Sequence, residues 1–242
     1  MSEVLAFEEA SRTFRGGAGV EGVTLSVRAG QITALIGLNG AGKTTLMRLA
    51  LGMLRPQQGL VRLFETPLEE VSPDQWARVG AMVEVPLAYP ELTVRQNLDL
   101  ARLLRDGPSG AVEDAMAVWG LSPLADQRLR RLSLGNRQRV GLAAALQHDP
   151  RLIVLDEPSN SLDPAFVIVL RDQLTRRAQA GAAVLISSHH LDEVSRIADH
   201  VLLINAGRLI GHLDTTEPDL ERAFFGRIRR DDEARYGKEP RR

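Results

Sequence analysis

Gly37-Leu38-Asn39-Gly40-Ala41-Gly42-Lys43-Thr44-Thr45 is the stretch on which the reading of this chain turns. It fits the pattern of a glycine, four residues, then Gly-Lys-Thr, in which backbone amides cradle a phosphate. The apolar run Ile32 to Ile36 precedes it as a buried strand. Leu46, Leu49, Ala50, Met53 and Leu54 follow at helical spacing. The glycines therefore fall in a strand-to-helix turn, the context the motif requires. Gly37, Asn39, Gly40, Ala41, Gly42 and Thr45 form the candidate cradle, and the helix behind them adds its positive N-terminal end. Lys43 is placed to reach the β- and γ-phosphates, and the Thr44 hydroxyl to meet Mg²⁺. The competing reading is a Gly-rich turn that happens to hold a lysine. Lys43 and Lys238 are the only lysines, every other basic residue being arginine. A lysine used so sparingly marks a place where a compact, flexible ammonium is needed.

Upstream, Val4 to Glu8 and Val23 to Val27 read as strands of a small antiparallel unit, with Phe14 ahead of the flexible Gly16-Gly17-Ala18-Gly19. Phe14 is either a core aromatic or a platform for an adenine ring, and position alone favours the core. Downstream, Leu60 to Phe64 is a short strand, Ser72-Pro73-Asp74 opens a short helix through Trp76, and Val79 to Val85 is an apolar strand carrying Glu84. From Thr93 to about Leu132 the pattern becomes helical. Leu98, Leu100, Leu103 and Leu104 form one stripe and Val112, Ala115, Met116 and Trp119 a second. Ser133 is placed to cap the apolar helix Val140 to Leu146.

Leu152-Ile153-Val154-Leu155 is uninterrupted apolar sequence, as in a parallel strand buried on both faces. Asp156-Glu157 follows at its C-terminal edge, where open α/β sheets bind ligands. A solvated acidic turn is the bland alternative. With the phosphate loop upstream, Asp156 reads as the carboxylate that orients Mg²⁺ and Glu157 as the general base for an attacking water. Phe166 to Gln179 and Leu191 to Ala198 read as helices. Ala183 to Ile186 is a further buried strand that delivers Ser187-Ser188-His189-His190. Val201 to Ile204 and Leu209-Ile210 flank a hairpin turn, and Leu220, Ala223 and Phe224 suggest a last short helix. Residues 227–242 are mixed in charge and nearly free of apolar side chains, and read as a mobile tail.

The 242 residues suffice for one large domain with a full core. Net charge is −1, which gives no global pull toward nucleic acid or anionic lipid. The absence of cysteine excludes a disulfide, a thiol nucleophile or a cysteine metal site, and fits a cytoplasmic chain. The start Met1-Ser2-Glu3-Val4 lacks the regions of a signal peptide, and no stretch approaches the ~20 apolar residues of a membrane span.

Together these motifs resemble those of the ATP-binding cassette ATPases along nearly the whole chain. Gly37 to Thr45 resembles their Walker A loop, and Leu152 to Glu157 their Walker B strand with the catalytic glutamate. Ser159 to Asp163 resembles the D-loop, and Ser188-His189 the switch histidine. Leu132-Ser133-Leu134-Gly135-Asn136 is similar to the Leu-Ser-Gly-Gly-Gln signature. The resemblance implies an α/β P-loop NTPase fold with a parallel-sheet core, an N-terminal antiparallel β-subdomain and a helical insert. Its parts would be residues 1–92 with 147–226, and 93–146. It assigns Phe14 to adenine stacking and His189 to sensing the γ-phosphate. It further implies a head-to-tail dimer, homomeric or heteromeric, in which Ser133, Gly135, Asn136 and Asp163 close over ATP bound by the other subunit. Glu84 stands where most relatives carry a glutamine that meets Mg²⁺. With Pro86 and Tyr89-Pro90 it resembles the bacitracin-resistance and lantibiotic-immunity exporters. The function implied is the ATP-hydrolysing subunit of an exporter, peripheral on the inner face of the membrane, driving a separate permease that docks near Glu84 to Asn97. The alternative is a cassette ATPase acting on nucleic acid or ribosomes, which this chain's lack of a basic patch or coiled-coil insert disfavours. A nucleotide sensor without turnover is a third reading, against which stand Lys43, Asp156, Glu157 and His189.

Overall fold

Uninterrupted apolar runs become the strands of the inner sheet because only a strand covered on both faces can bury every side chain. In the computed structural model, which describes residues 2–84, 88–217 and 219–237, these are β3 (Ile32–Ile36), β7 (Leu152–Leu155) and β8 (Ala183–Ser188), buried throughout. They belong to a six-stranded sheet with β6 (Val79–Met82), β9 (His200–Asn205) and β10 (Arg208–Leu213), in the order β10-β9-β3-β8-β7-β6. All pairs are parallel except the β9–β10 hairpin. Strand alternation divides the core in two. Ile32, Ala34, Ile36, Ile153, Leu155, Val184 and Ile186 face the helical side. Leu35, Leu152, Val154, Ala183 and Leu185 face α1 (Lys43–Ala50) and a second sheet.

That second sheet is antiparallel, in the order β2-β1-β4-β5, from β1 (Glu3–Thr13), β2 (Gly19–Arg28), β4 (Gln58–Leu63) and the two-residue β5 (Thr66–Pro67). Helix α1 is thus sandwiched between the sheets, its Leu46, Met47, Leu49 and Ala50 inaccessible. On the other side lie α3 (Val94–Leu103), α4 (Ala111–Val118), α5 (Leu134–Leu146) and α6 (Pro164–Gln179). Ser72 opens the short α2 (Pro73–Trp76) and Thr93 opens α3, each with a capping box in which a glutamine three residues on reaches back. Among the described residues no helix is long and apolar enough to cross a membrane.

Several expectations change. Only Leu98 of the first leucine stripe is fully buried, Leu103 and Leu104 being exposed where α3 ends. β6 stops at Met82, and Glu84 turns the chain with φ 64°. Val85 and Pro86 lie outside the described residues. Helix α7 (Leu191–Val194) is one turn, shorter than the apolar pattern to Ala198 suggests. α5, by contrast, begins at Leu134 with Ser133 as its cap, as expected. The segment read as a mobile tail from Arg227 is helical to Tyr236, in α8 (Leu220–Tyr236). Phe224 and Ile228, one turn apart, anchor it in the core. Asn205 Nδ2 donates to Asp231 Oδ2 (2.7 Å) and Asp232 Oδ1 (2.9 Å), so polar groups hold a helix that apolar residues alone would not predict. Lys238 to Arg242 lie outside the described residues.

Candidate active site

β3, β8 and β7 are neighbours in the sheet, so the segments that leave their C-terminal ends converge. The loop after β3 closes on Gly42, which precedes α1 in the left-handed region with φ 109°. A Cβ there would sit 2.8 Å from the Gly19 carbonyl, so only glycine lets the strand pair β1–β2 press against the loop. Lys43, buried at the first position of α1, turns back along the loop, its Nζ donating to the Gly37 carbonyl at 2.7 Å. The same Nζ lies 3.4 Å from Glu157 Oε1.

Asp156 and Glu157 leave β7 facing different partners. Asp156 accepts from Thr44 Oγ1 on one oxygen (2.7 Å) and from Ser187 Oγ on the other (2.5 Å). Ser187 also accepts from the Glu157 backbone N–H (2.8 Å), and it is wholly inaccessible. Glu157 itself has φ 47°, the sharp turn that separates its side chain from that of Asp156. Its Oε2 meets His189 Nδ1 at 2.7 Å and the His189 N–H at 3.3 Å. The His190 ring packs tilted against that of His189, and none of these bonds joins it to Glu157. Lys43, Thr44, Asp156, Glu157 and His189, far apart in sequence, thus form one bonded cluster, and Ser187 is the member that sequence reading did not single out. Its signal was its place, one residue past the expected end of a buried strand.

Thr44 and Asp156 together present a hydroxyl and a carboxylate, hard oxygen donors suited to Mg²⁺. Glu84 does not join them. Its carboxylate is paired with the guanidinium of Arg48, one helical turn after Thr44 on α1. That hydrogen bond first, and the charge of Asp156 at longer range, hold Arg48 more firmly protonated than usual. Arg48 was missed because an arginine on a helix ordinarily reads as surface.

Phe14 is 38% exposed, on the turn after β1, with the Arg12 guanidinium 5.4 Å from its ring centre. The core reading of Phe14 is therefore wrong, and an accessible ring beside the segment that abuts Gly42 fits a stacking surface. A cleft of about 490 Å³ opens between Leu38–Asn39, His189–Glu193 and α8.

Ser133, Gly135 and Asn136 make none of the bonds of this cluster. Ser133 caps α5 by accepting from the Asn136 N–H (3.3 Å), leaving Leu134 exposed. A Cβ on Gly135 would fall 2.6 Å from the Ser161 carbonyl, so glycine is what allows α5 to abut the segment before α6. Gln138 binds the Pro158 carbonyl (3.1 Å), and the Asn136 side chain accepts from Arg139. Asp163 caps α6 through the Phe166 N–H (3.2 Å). The first turn of α5 is thus packed on the segment 158–161, and none of these bonds of Ser133, Asn136 or Asp163 involves Lys43.

A family model described as ABC transporter matches residues 20–160. The bacitracin transport ATP-binding protein of Enterococcus faecalis is 37% identical over 219 residues, 90% of this chain and 71% of that protein. Its namesake from Bacillus licheniformis is 33% identical, over 87% of this chain and 69% of that one. A solved ATP-binding subunit of an ABC transporter superposes with a TM-score of 0.81 at 27% identity, covering 93% of this chain and 94% of the other. A dimeric ATP-binding cassette holding ADP and Pi gives 0.78 at 19% identity, over 88% and 99%, a likeness of fold. With a family model matching more than half of its length and such relatives along most of it, this chain belongs to the ABC transporter family, as an ATP-binding protein similar to those of bacitracin transport.

Proposed function

We propose that the chain hydrolyses ATP to drive export through a separate permease. The observation that carries the reading is the Lys43–Glu157–His189 chain set beside Thr44–Asp156–Ser187. Residues Gly37 to Thr45 bind the phosphates through backbone amides and Lys43, and Phe14 stacks on the adenine. Thr44 and Asp156 would hold Mg²⁺, which would supply neutralisation of phosphate charge, and Glu157 and His189 act beside them. Glu84 is a third oxygen donor once released from Arg48. Glu157 takes the proton from the attacking water, a role worth ~10²–10⁴ in rate. His189 orients Glu157 and reads the γ-phosphate.

Ser133, Gly135, Asn136 and Asp163 act across a head-to-tail dimer, a reading supported by the likeness of fold to a dimeric ATP-binding cassette. The first turn of α5 then offers its free N–H groups to the phosphate bound by the other copy. Residues 93–146 form the helical unit, and 1–92 with 147–226 the core and β-unit. The permease contacts the segment from Glu84 to Asn97, in which Tyr89 is exposed among the described residues. Such a chain works at the inner face of the cell membrane without entering it.

The test is co-purification of tagged Glu157→Gln from native membranes with ATP and Mg²⁺ present, since this variant should bind ATP without turning it over. Recovery of a multi-span membrane protein supports the reading. Recovery of ribosomes or nucleic acid alone overturns it.

A further inference from the structure

Glu84 poses an electrostatic problem for a site that binds a polyanion. It lies just past β6, whose last residue Met82 pairs with Leu155 and accepts from the Asp156 N–H at 2.9 Å. Glu84 therefore stands near Asp156, on the same edge of the sheet. A free carboxylate there would repel the phosphates and compete with Asp156 for the same positive charge. Among the described side chains, the cation that meets it is Arg48.

Arg48 is fixed by the fold. It follows Thr44 by four residues, so the two side chains rise from one face of α1. Thr44 holds Asp156 and Arg48 holds Glu84, and the two carboxylates are tied to α1 at successive turns. The side chains are 33% and 48% exposed, so the pair can open without a buried charge being stranded. We propose that Arg48 is a positioning residue that draws the Glu84 carboxylate away from the phosphates and from the Thr44–Asp156 metal set until nucleotide and metal together compete for it. This rests on the ATP-site reading above. It adds that a glutamate at this position depends on an arginine one turn after the phosphate-loop threonine.

The test is a four-member cycle of the wild type, Arg48→Gln, Glu84→Gln and the double variant. It is read by equilibrium binding of ATP in EDTA, of ATP with Mg²⁺, and by the urea midpoint of each protein. Arg48→Gln should weaken ATP binding in EDTA about tenfold, because it leaves Glu84 unpaired beside the phosphates. The double variant should return to within about threefold of the wild type, since the charge that Arg48 manages is gone. Mg²⁺ should shrink the Arg48→Gln defect, and Arg48→Lys, which keeps the charge but not the fork, should lose less than Arg48→Gln. A merely structural role would lower the urea midpoint and leave the binding defect in the double variant. An undiminished defect there, or Arg48→Gln binding like the wild type, overturns the proposal. Wild-type protein that binds no ATP overturns the nucleotide reading itself, and the proposal with it.

Discussion

Ser187→Ala removes one oxygen and should cost more than its size suggests. The hydroxyl donates to Asp156 Oδ1 at 2.5 Å and accepts from the Glu157 N–H at 2.8 Å, with no solvent contact. A hydrogen bond to a charged acceptor is worth about 1.5–3 kcal/mol, and a buried N–H left unpaired costs about 1–3 kcal/mol. Asp156 retains some access to water, which recovers part of the first term. The expected loss is therefore about 2–4 kcal/mol, or about 1 M in the urea midpoint at an unchanged slope. Turnover should fall as well, because Asp156 keeps only its Thr44 bond and the turn carrying Glu157 loses its tether. Binding of ATP in EDTA should change less than about twofold. Urea unfolding and steady-state phosphate release on the same preparations give both numbers. A midpoint shift under about 0.3 M with full turnover would refute the claim that Ser187 couples the two carboxylates.

Phe14→Ala should weaken ATP binding about five- to hundredfold, the range of losing one base–aromatic stack, and leave inorganic triphosphate binding unchanged. Competition binding with the two ligands checks this. Burial first, and Arg105 and Arg177 beside it, push His148 down to about 4, while its Nε2 faces the Val79 carbonyl. The unfolded chain binds this proton near pH 6.5 and the folded one only near 4. Stability present above pH 6.5 should therefore drain away toward pH 4, by up to about 3 kcal/mol. His148→Phe should flatten that part of the wild-type pH curve in urea titrations. Asn205→Ala leaves Asp231 and Asp232 adjacent without their shared donor. It should loosen α8, seen as faster proteolytic trimming of the C-terminal helix than in the wild type.

The loops that meet in the candidate site were legible because their signals are local. A glycine loop between an apolar run and a helical stripe, and an acidic pair after Leu152–Leu155, each declare their geometry within ten residues. Relations between distant segments were not legible. Burial tells that β3, β7 and β8 are inner strands but not that β8 lies between the other two, and it is this order that puts Ser187 against Asp156. Helix α8 was missed beyond Phe224 because Asn205, 26 residues away from Asp231, does the holding. The start of α5 was legible from its cap, Ser133, but not the packing of its first turn against Ser161, which depends on Gly135. Phe14 illustrates the opposite error, since an aromatic near two strands ordinarily reads as core.

Three carboxylates, Glu84, Asp156 and Glu157, crowd the place where a triphosphate would sit, and that needs a physical explanation. Each has its own partner. Glu84 has Arg48, Asp156 has the hydroxyls of Thr44 and Ser187, and Glu157 has Lys43 and His189. The buried Lys43 would be costly if unpaired, and Glu157 with the Gly37 carbonyl satisfies it. On the proposed reading, a phosphate reaching Lys43 does not enter a positively charged hole. It displaces a carboxylate, and the ammonium that it takes is the one holding Glu157 in place. On the proposed reading, binding and the release of Glu157 from Lys43 are then one exchange, with the His189 bond remaining. The cost of that exchange is low because one charged partner replaces another in the same desolvated pocket. Two fixed cations, Lys43 and Arg48, face three carboxylates before any phosphate arrives, so the fixed charges alone do not favour a polyanion. The loop amides and the N-terminus of α1 offset part of the deficit, and the oxygen pair of Thr44 and Asp156 is suited to recruiting the divalent charge that offsets the rest.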